Sequence, residues 1–456
     1  MQRTGKVPGK FHLSDFLSSL QLNPPLILLL GFAGLVLVGA VLLTLPWVTQ
    51  EGKSIGFLNA LFTSTSASCV TGLTVVNTAN SFNLAGQIII LCLIQAGGLG
   101  IMTLATLVPM LMGKKIGLKS RQILKEQLNL DSLSGIIRLL KYVVRFTLLI
   151  EGLGAILLAT RFIPRSGWLL GTWQAIFHAI SAFCNAGFDI LGDSIYPYRA
   201  DPVINWTLMA LVTIGGLGFL VTQEIWQKRN FKRLSIHSKL VIILSASLTL
   251  IGALGFLAME YTNPATLLLE SFPVKVQASF FQSVICRTAG FYSAPMMGLR
   301  DETCFLMMIL MFIGGSPGST AGGLKTTTFG VLLVTTYATI KGQHEPTLFN
   351  KHLGSKTIRR ALSLIVVGII LVLLVSFVLT ITETQKFLDL VFETISAYGT
   401  VGLSIGITPN LSAFGKIMIL LTMYAGRVGP LTLGFAIANR NKHSKIRLPE
   451  ANILVG

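Results

Sequence analysis

Four glycines, Gly72, Gly187, Gly290 and Gly402, close four short segments of one pattern. Each has a Phe ten residues before it (Phe62, Phe177, Phe280 and Phe392) and a Leu or Phe directly after it (Leu73, Phe188, Phe291 and Leu403). Ser-Ala recurs at one offset in three of them, at 66–67, 181–182 and 396–397. The glycines stand 115, 103 and 112 residues apart, a spacing that marks an internal repeat. The chemistry open to such segments is ion coordination by main-chain oxygen. A cation leaving water must exchange its hydration shell for other oxygens, and a fourfold surround of backbone carbonyls suits a potassium-sized ion. Turning successive carbonyls towards one axis needs positive φ, which glycine adopts without steric cost. The candidate ligands are the carbonyls of Val70, Thr71 and Gly72, of Asn185, Ala186 and Gly187, of Thr288, Ala289 and Gly290, and of Thr400, Val401 and Gly402.

The elements that must hold these segments are membrane helices. Of 456 residues, 52% are apolar and 12% charged, against roughly 25% charged in soluble domains. Mean hydropathy is +0.72. Long apolar spans are predicted at 24–48, 83–112, 137–160, 203–226, 238–259, 303–340, 358–382 and 411–438. Between the members of each pair lies one of the glycine segments, too short to cross a bilayer and therefore predicted to be re-entrant, its helical C-terminus offering partial negative charge to a cation. The fold class is an all-α polytopic membrane protein of four helix–pore loop–helix repeats in pseudo-fourfold arrangement around a central pore. The divisions are a tail at 1–23, repeat 1 at 24–113, a linker at 114–136, repeat 2 at 137–230, repeat 3 at 231–342, a linker at 343–356, repeat 4 at 357–440 and a tail at 441–456.

The net charge of +18 does not indicate nucleic acid, because the basic residues sit in short loops between apolar spans. Of 36 Lys and Arg, 24 fall in the N-terminal tail and the inter-repeat loops, which places those loops and both termini on the cytoplasmic side of a cell membrane. Lipid headgroups or a regulatory protein are the partners such loops suit. Five scattered cysteines offer neither a disulfide framework nor a zinc site. Gly402 to Gly406 fits a hydrolase nucleophile pattern by accident, without strand–turn–helix context. No enzyme is read from the sequence.

The segments Cys69-Val-Thr-Gly72-Leu73, Asn185-Ala-Gly187-Phe188, Arg287-Thr-Ala-Gly290-Phe291 and Gly399-Thr-Val-Gly402-Leu403 resemble the four filters of the Trk/Ktr/HKT potassium transporters, over about residues 24–440. The likeness is greater to the membrane subunit of Ktr than to Trk. The resemblance implies potassium uptake through the four filters, often sodium-dependent. It further implies a homodimer with one pore per subunit, controlled by a cytosolic ring of nucleotide-binding RCK-type subunits, and no cofactor on this chain. Glycine at all four positions favours potassium over sodium. The readings that compete are the potassium-binding subunit of an ATP-driven pump and an inverted-repeat secondary transporter of a small solute, in which broken helices come in pairs.

A second repeated signature follows each glycine segment, at Gly97 to Gly100, Gly215 to Gly218, Gly314 to Gly318 and Gly426 to Gly429. In the third repeat it extends through Gly314, Gly315, Ser316, Pro317, Gly318, Ser319, Thr320, Gly322 and Gly323, a run that cannot stay helical. That span alone is expected to break, forming an intramembrane gating loop below the filter, as the resemblance also implies. Arg427 takes the place of Gly98, Gly216 and Gly315, and is expected to set a positive charge at the pore in contact with this loop. Glu151 and Glu393 are the acids at depth, read as structural partners for Arg427 in preference to a proton site. Lys325 is expected to snorkel, Arg287 to bond filter or pore-helix carbonyls, His178 to pack, and Asp189, Asp193 and Asp201 to lie in a solvated outer loop.

Overall fold

The computed structural model describes residues 24–100, 122, 136–343 and 345–429. Both tails and almost all of the 114–136 linker, with the basic residues expected to orient the chain there, lie outside the described residues. Among the described residues, four helices are long and apolar enough to cross a bilayer unaided: α1 (Pro24–Thr44), α4 (Ile136–Ser166), α8 (Ile236–Glu260) and α12 (Ser355–Thr382). Each opens one unit. Each is followed by a shorter pore helix, α2 (Phe57–Ser68), α5 (Trp168–Phe183), α9 (Phe272–Ile285) and α13 (Phe387–Gly399), and then by a second helix. The second helices are α3 (Leu84–Leu99), α6 (Pro202–Leu217) with α7 (Phe219–Lys228), α10 (Asp301–Phe312) with α11 (Thr326–Ile340), and α14 (Ala413–Val428).

Local chemistry sets several of these starts. Asn83, Asp201, Ser235 and Ser412 each accept a main-chain N–H of the following turn as N-caps. Pro202 takes the first position of α6, where its missing N–H costs nothing. Aromatic residues stand exposed where the pore helices and second helices begin, at Phe57, Trp168, Trp206, Phe272, Phe387 and Phe414. Trp168 and Trp206 among them have the amphipathic rings that suit a bilayer interface.

The units close into a ring through one repeated contact. Each second helix packs on the pore helix of the next unit: α3 on α5, α6 on α9, α10 on α13, and α14 back on α2. Beneath these contacts the pattern's phenylalanines fill the core. Phe62, Phe177 and Phe392 are fully buried, and in the third unit Phe281 takes that role while Phe280 is half-buried.

The second helices correct one expectation, that a single span would break. In units 1, 2 and 4 the helix stops at the last glycine of the repeated signature, Gly100, Gly218 and Gly429, with φ of 84°, 94° and 91°. In unit 2, α7 restarts at 98° to α6. Unit 3 breaks earlier, over 313–325. The first glycine of the signature has a different cause. A Cβ on Gly97, Gly215 or Gly426 would collide with the carbonyl oxygen of Ser68, Phe183 or Tyr398, at or beside the end of the pore helix of its own unit. The signature therefore combines a close approach with a stop. A two-residue hairpin, Thr347–Leu348 with Lys351–His352, is a small departure from an all-helical chain. Phe349 and Asn350 at its tip both have positive φ, as a type I′ turn requires.

Candidate ion-conducting site

The four glycine segments share one backbone geometry. In each, the glycine has positive φ (Gly72 98°, Gly187 69°, Gly290 71°, Gly402 89°), and so has the residue two before it (Val70 57°, Asn185 59°, Thr288 72°, Thr400 50°). Asparagine tolerates this region, whereas β-branched Val and Thr adopt it at a cost of about 1–2 kcal/mol each. Three of four units carry that strain in the same place. Positive φ at two residues with one between them gives all four triplets the same unusual turn. The glycines also give the ring order: a Cβ on Gly72 would meet the Ala186 carbonyl, on Gly187 the Ala289 carbonyl (2.6 Å), on Gly290 the Val401 carbonyl (2.8 Å), and on Gly402 the Thr71 carbonyl. The four turns thus abut in sequence order and close on themselves, with no room for a side chain. Val70, Thr71, Asn185, Ala186, Thr288, Ala289, Thr400 and Val401 are all buried.

Why the strain persists is visible at the pore-helix ends. In units 1, 2 and 4 the left-handed residue donates its N–H three residues back and the next residue five back: Val70 to Ala67 (3.1 Å) and Thr71 to Ser66 (2.8 Å), Asn185 to Ala182 and Ala186 to Ser181, Thr400 to Ala397 and Val401 to Ser396. These are Schellman closures with a non-glycine residue at the left-handed position. The serine of the recurring Ser-Ala then reaches past the turn. Ser66 Oγ accepts the Gly72 N–H (3.0 Å), Ser396 Oγ accepts the Gly402 N–H (3.1 Å), and Ser181 Oγ donates to the Phe188 carbonyl (2.8 Å). Unit 3 has Val284-Ile285 at that offset, lacks the latch, and bonds Ala289 N–H to the Ile285 carbonyl instead. Sequence reasoning recorded the Ser-Ala recurrence without giving it this role.

Residues 313–325 form a non-helical loop tied to two other units. Ser316 N–H donates to the Gly216 carbonyl (3.0 Å), Thr320 N–H to that of Gly215 (3.3 Å), and Phe219 N–H to that of Gly318 (2.9 Å). Gly315 accepts the Thr326 N–H (3.1 Å), and the Ser316 and Thr326 hydroxyls lie 3.0 Å apart. Pro317 and Gly323 complete the turn, Gly323 and Gly318 both at φ 66°. Ser319 Oγ donates to the Ser316 carbonyl, while Gly314 and Gly322 approach each other too closely for a side chain. The Thr320 hydroxyl lies 3.0 Å from Asn185 Oδ1, so the loop touches a candidate filter residue directly.

Arg427 crosses from unit 4 and donates to the carbonyls of Thr320, Gly97 and Gly98. Its expected carboxylate partners are a correction. Glu151 accepts from Gln95 Nε2 (3.3 Å), and Glu393 accepts from the Thr408 hydroxyl. Neither forms an ion pair with Arg427 among the described residues. Carbonyl oxygens at interrupted helix ends fill that role, because their lone pairs have no helical N–H to accept.

Four smaller expectations also change or gain detail. Lys325 turns back on the loop, donating to the Ala321 carbonyl (2.8 Å), rather than snorkelling. Arg287 bonds the carbonyl and hydroxyl of Ser245 on α8, not the filter. Asp201 caps α6, Asp189 accepts the Leu191 and Gly192 N–H groups, and Asp193 accepts the Tyr292 hydroxyl, so this outer stretch is a bonded structure. His178 packs among Phe162, Phe177 and Phe291 and its Nδ1 bonds the Gln174 carbonyl.

Comparison with known proteins agrees with the fold. Residues 36–445 match the family described as TrkH, cation transport protein. The chain is 43% identical over 434 residues to the Ktr system potassium uptake protein B of Bacillus subtilis, covering 95% of this chain and 97% of that one. It is 42% identical over 443 residues to the potassium/sodium uptake protein NtpJ of Enterococcus hirae, covering 96% and 98%. Its fold matches the crystal structure of the potassium transporter TrkH from Vibrio parahaemolyticus with a TM-score of 0.72, at 20% identity, over 91% of this chain and 84% of that one. This is a family of transporters and not of enzymes. The chain belongs to the TrkH family of cation transport proteins.

Proposed function

We propose that the chain takes up potassium across the cell membrane, through the ring formed by its four glycine turns. The observation that carries this is the closed ring order of Gly72, Gly187, Gly290 and Gly402, each with a left-handed residue two positions before it. The potassium named for the Ktr and NtpJ relatives supports the choice of ion, and NtpJ supports a role for sodium as well. The carbonyls of residues 70–72, 185–187, 288–290 and 400–402 replace the ion's water. The loop at 313–325, with Ser316, Pro317, Ser319 and Thr320, blocks the path below them, and Arg427 holds it closed. The chain acts as a homodimer with both termini inside, and a cytosolic nucleotide-binding ring opens the gate; the system named for the Ktr relatives supports a separate regulator. Four units that pack in one cyclic sense favour this over an inverted-repeat carrier of an organic solute.

The test is rubidium uptake into liposomes holding the purified chain, with potassium and sodium as competitors. Uptake blocked by potassium and little by sodium is expected, and equal block by both overturns the assignment of the filter. Deleting residues 316–321 is expected to raise uptake in the absence of any regulator. Uptake that falls instead overturns the gate.

A further inference from the structure

At the end of the molecule opposite the glycine turns, the chain reverses between α7 and α8 through residues 229–235. The reversal is clamped by one acid. Glu224 accepts Lys228 Nζ (2.5 Å), the Ser235 N–H (2.8 Å) and hydroxyl (2.7 Å), and the Ser238 hydroxyl. With that carboxylate occupied, Arg229, Lys232 and Arg233 stand exposed and make no ion pair among the described residues. Beside them runs an open groove of about 220 Å³ lined by Ile225, Arg229, Asn230, Phe231, Leu234 and Ile242. Its lining is mostly apolar, and the neighbouring face of α8 carries exposed apolar side chains at Ile243, Leu250, Ile251 and Leu254. At its mouth Trp226 is 66% and Phe231 47% exposed.

An apolar trough at the foot of a spanning helix, with a cationic mouth and flanking aromatic rings, has the chemistry of a bilayer interface. We propose that the groove is a binding site for a single anionic phospholipid. One acyl chain lies along Ile225, Phe231, Leu234 and Ile242. The phosphate pairs with Arg229, and Lys232 and Arg233 add attraction. A soluble acidic protein fits less well, because the trough opens beside the exposed apolar face of a helix long and apolar enough to span a bilayer. Arg229 is also fixed in place: it caps α7 in the left-handed region at φ 48°, with its N–H on the Ile225 carbonyl (2.9 Å).

The test uses the full chain in detergent, titrated with phosphatidylglycerol or phosphatidylcholine and read by native mass spectrometry. One phosphatidylglycerol is expected to bind in preference to phosphatidylcholine. Arg229→Asn removes the charge but keeps a residue that tolerates positive φ, and is expected to weaken that binding about five-fold. The pair Lys232→Gln with Arg233→Gln is expected to weaken it by at least as much without touching the helix cap. Ile242→Trp, which fills the trough, is expected to abolish it. Equal retention of the two lipids by the unaltered chain overturns the proposal and leaves the surface to a soluble partner. Unchanged phosphatidylglycerol affinity in the charge variants overturns it as well.

Discussion

The hydroxyl of Thr320 lies 3.0 Å from Asn185 Oδ1 and 3.1 Å from the Phe183 carbonyl, linking the broken helix of unit 3 to the glycine turn of unit 2. Arg427 holds the same residue by its carbonyl. Asn185 alone among the four left-handed residues preceding the glycines has a side-chain amide, so this link has no equivalent in the other units.

Removing that hydroxyl should loosen the loop while leaving the ring intact. Thr320→Val keeps the shape and leaves the buried Asn185 oxygen without its donor, at about 1–3 kcal/mol. If the loop is the gate, its open population rises by roughly tenfold. Rubidium leak from liposomes is expected to rise accordingly, with the preference for potassium over sodium retained. An unchanged leak would assign the contact to packing.

The serine latches predict the opposite split. Ser66→Ala and Ser396→Ala leave the Gly72 and Gly402 N–H groups without their acceptors inside a buried turn. Selectivity is expected to fall, with sodium competing more strongly against rubidium, while the leak without a regulator stays low. In unit 3, where Val284 stands at this offset, Val284→Ala is expected to leave competition as it was. A fall in selectivity from Val284→Ala equal to that from Ser66→Ala would remove the latch from the account.

How much of this was legible in the sequence follows from the range of each interaction. The glycine turns and the break at 314–323 were readable because their cause is local: positive φ and helix-breaking composition leave a mark in neighbouring residues. The stop at Gly218 was equally local, yet was read only as a motif, because two of its three glycines serve packing or chain reversal rather than flexibility. The contact of Arg427 with the loop was expected from the repeat and is present, but its acceptors were not readable. Thr320 and Gly97 lie 107 and 330 residues away, and they accept through main-chain oxygens, which every residue carries. Arg287 misled for a related reason: it neighbours the third turn in sequence, but its side chain is long enough to reach Ser245 on another helix.

Glu260 anchors the outer side of unit 3 and should be the costliest acid there to lose. Fully buried at the end of α8, it accepts from Asn263 Nδ2 (2.6 Å), the Thr266 hydroxyl (2.6 Å), the Thr303 hydroxyl (2.5 Å) and the Arg300 N–H (3.0 Å). These donors come from the outer loop and from α10, so a single carboxylate joins three segments. Glu260→Ala strands them together and is expected to destabilise the chain by about 3–5 kcal/mol. Glu260→Gln should cost less but still be visible, since its amide would face donors. Thermal midpoints of the purified variants check the order, and a Glu260→Ala midpoint equal to wild type would contradict it.

The outer loops also give a pH dependence with a definite sign. Tyr292 donates its hydroxyl to Asp193 Oδ1 at 2.7 Å, joining the loop after the third turn to the loop after the second. Burial, followed by the bond to Asp193 and its negative charge, pushes the phenol well above its usual range. The protonated form is therefore the one the fold favours. Its contribution is complete below the ordinary tyrosine value of about 10, and is lost only as pH rises through the higher folded value. Tyr292→Phe is expected to lower stability by about 1 kcal/mol. That deficit should stay constant from pH 7 to pH 9 and shrink only in stronger alkali, where the unaltered chain loses the bond as well. Thermal midpoints of the two chains across that range decide it: a deficit that already closes between pH 7 and pH 9 would mean that Tyr292 does not hold its proton against Asp193.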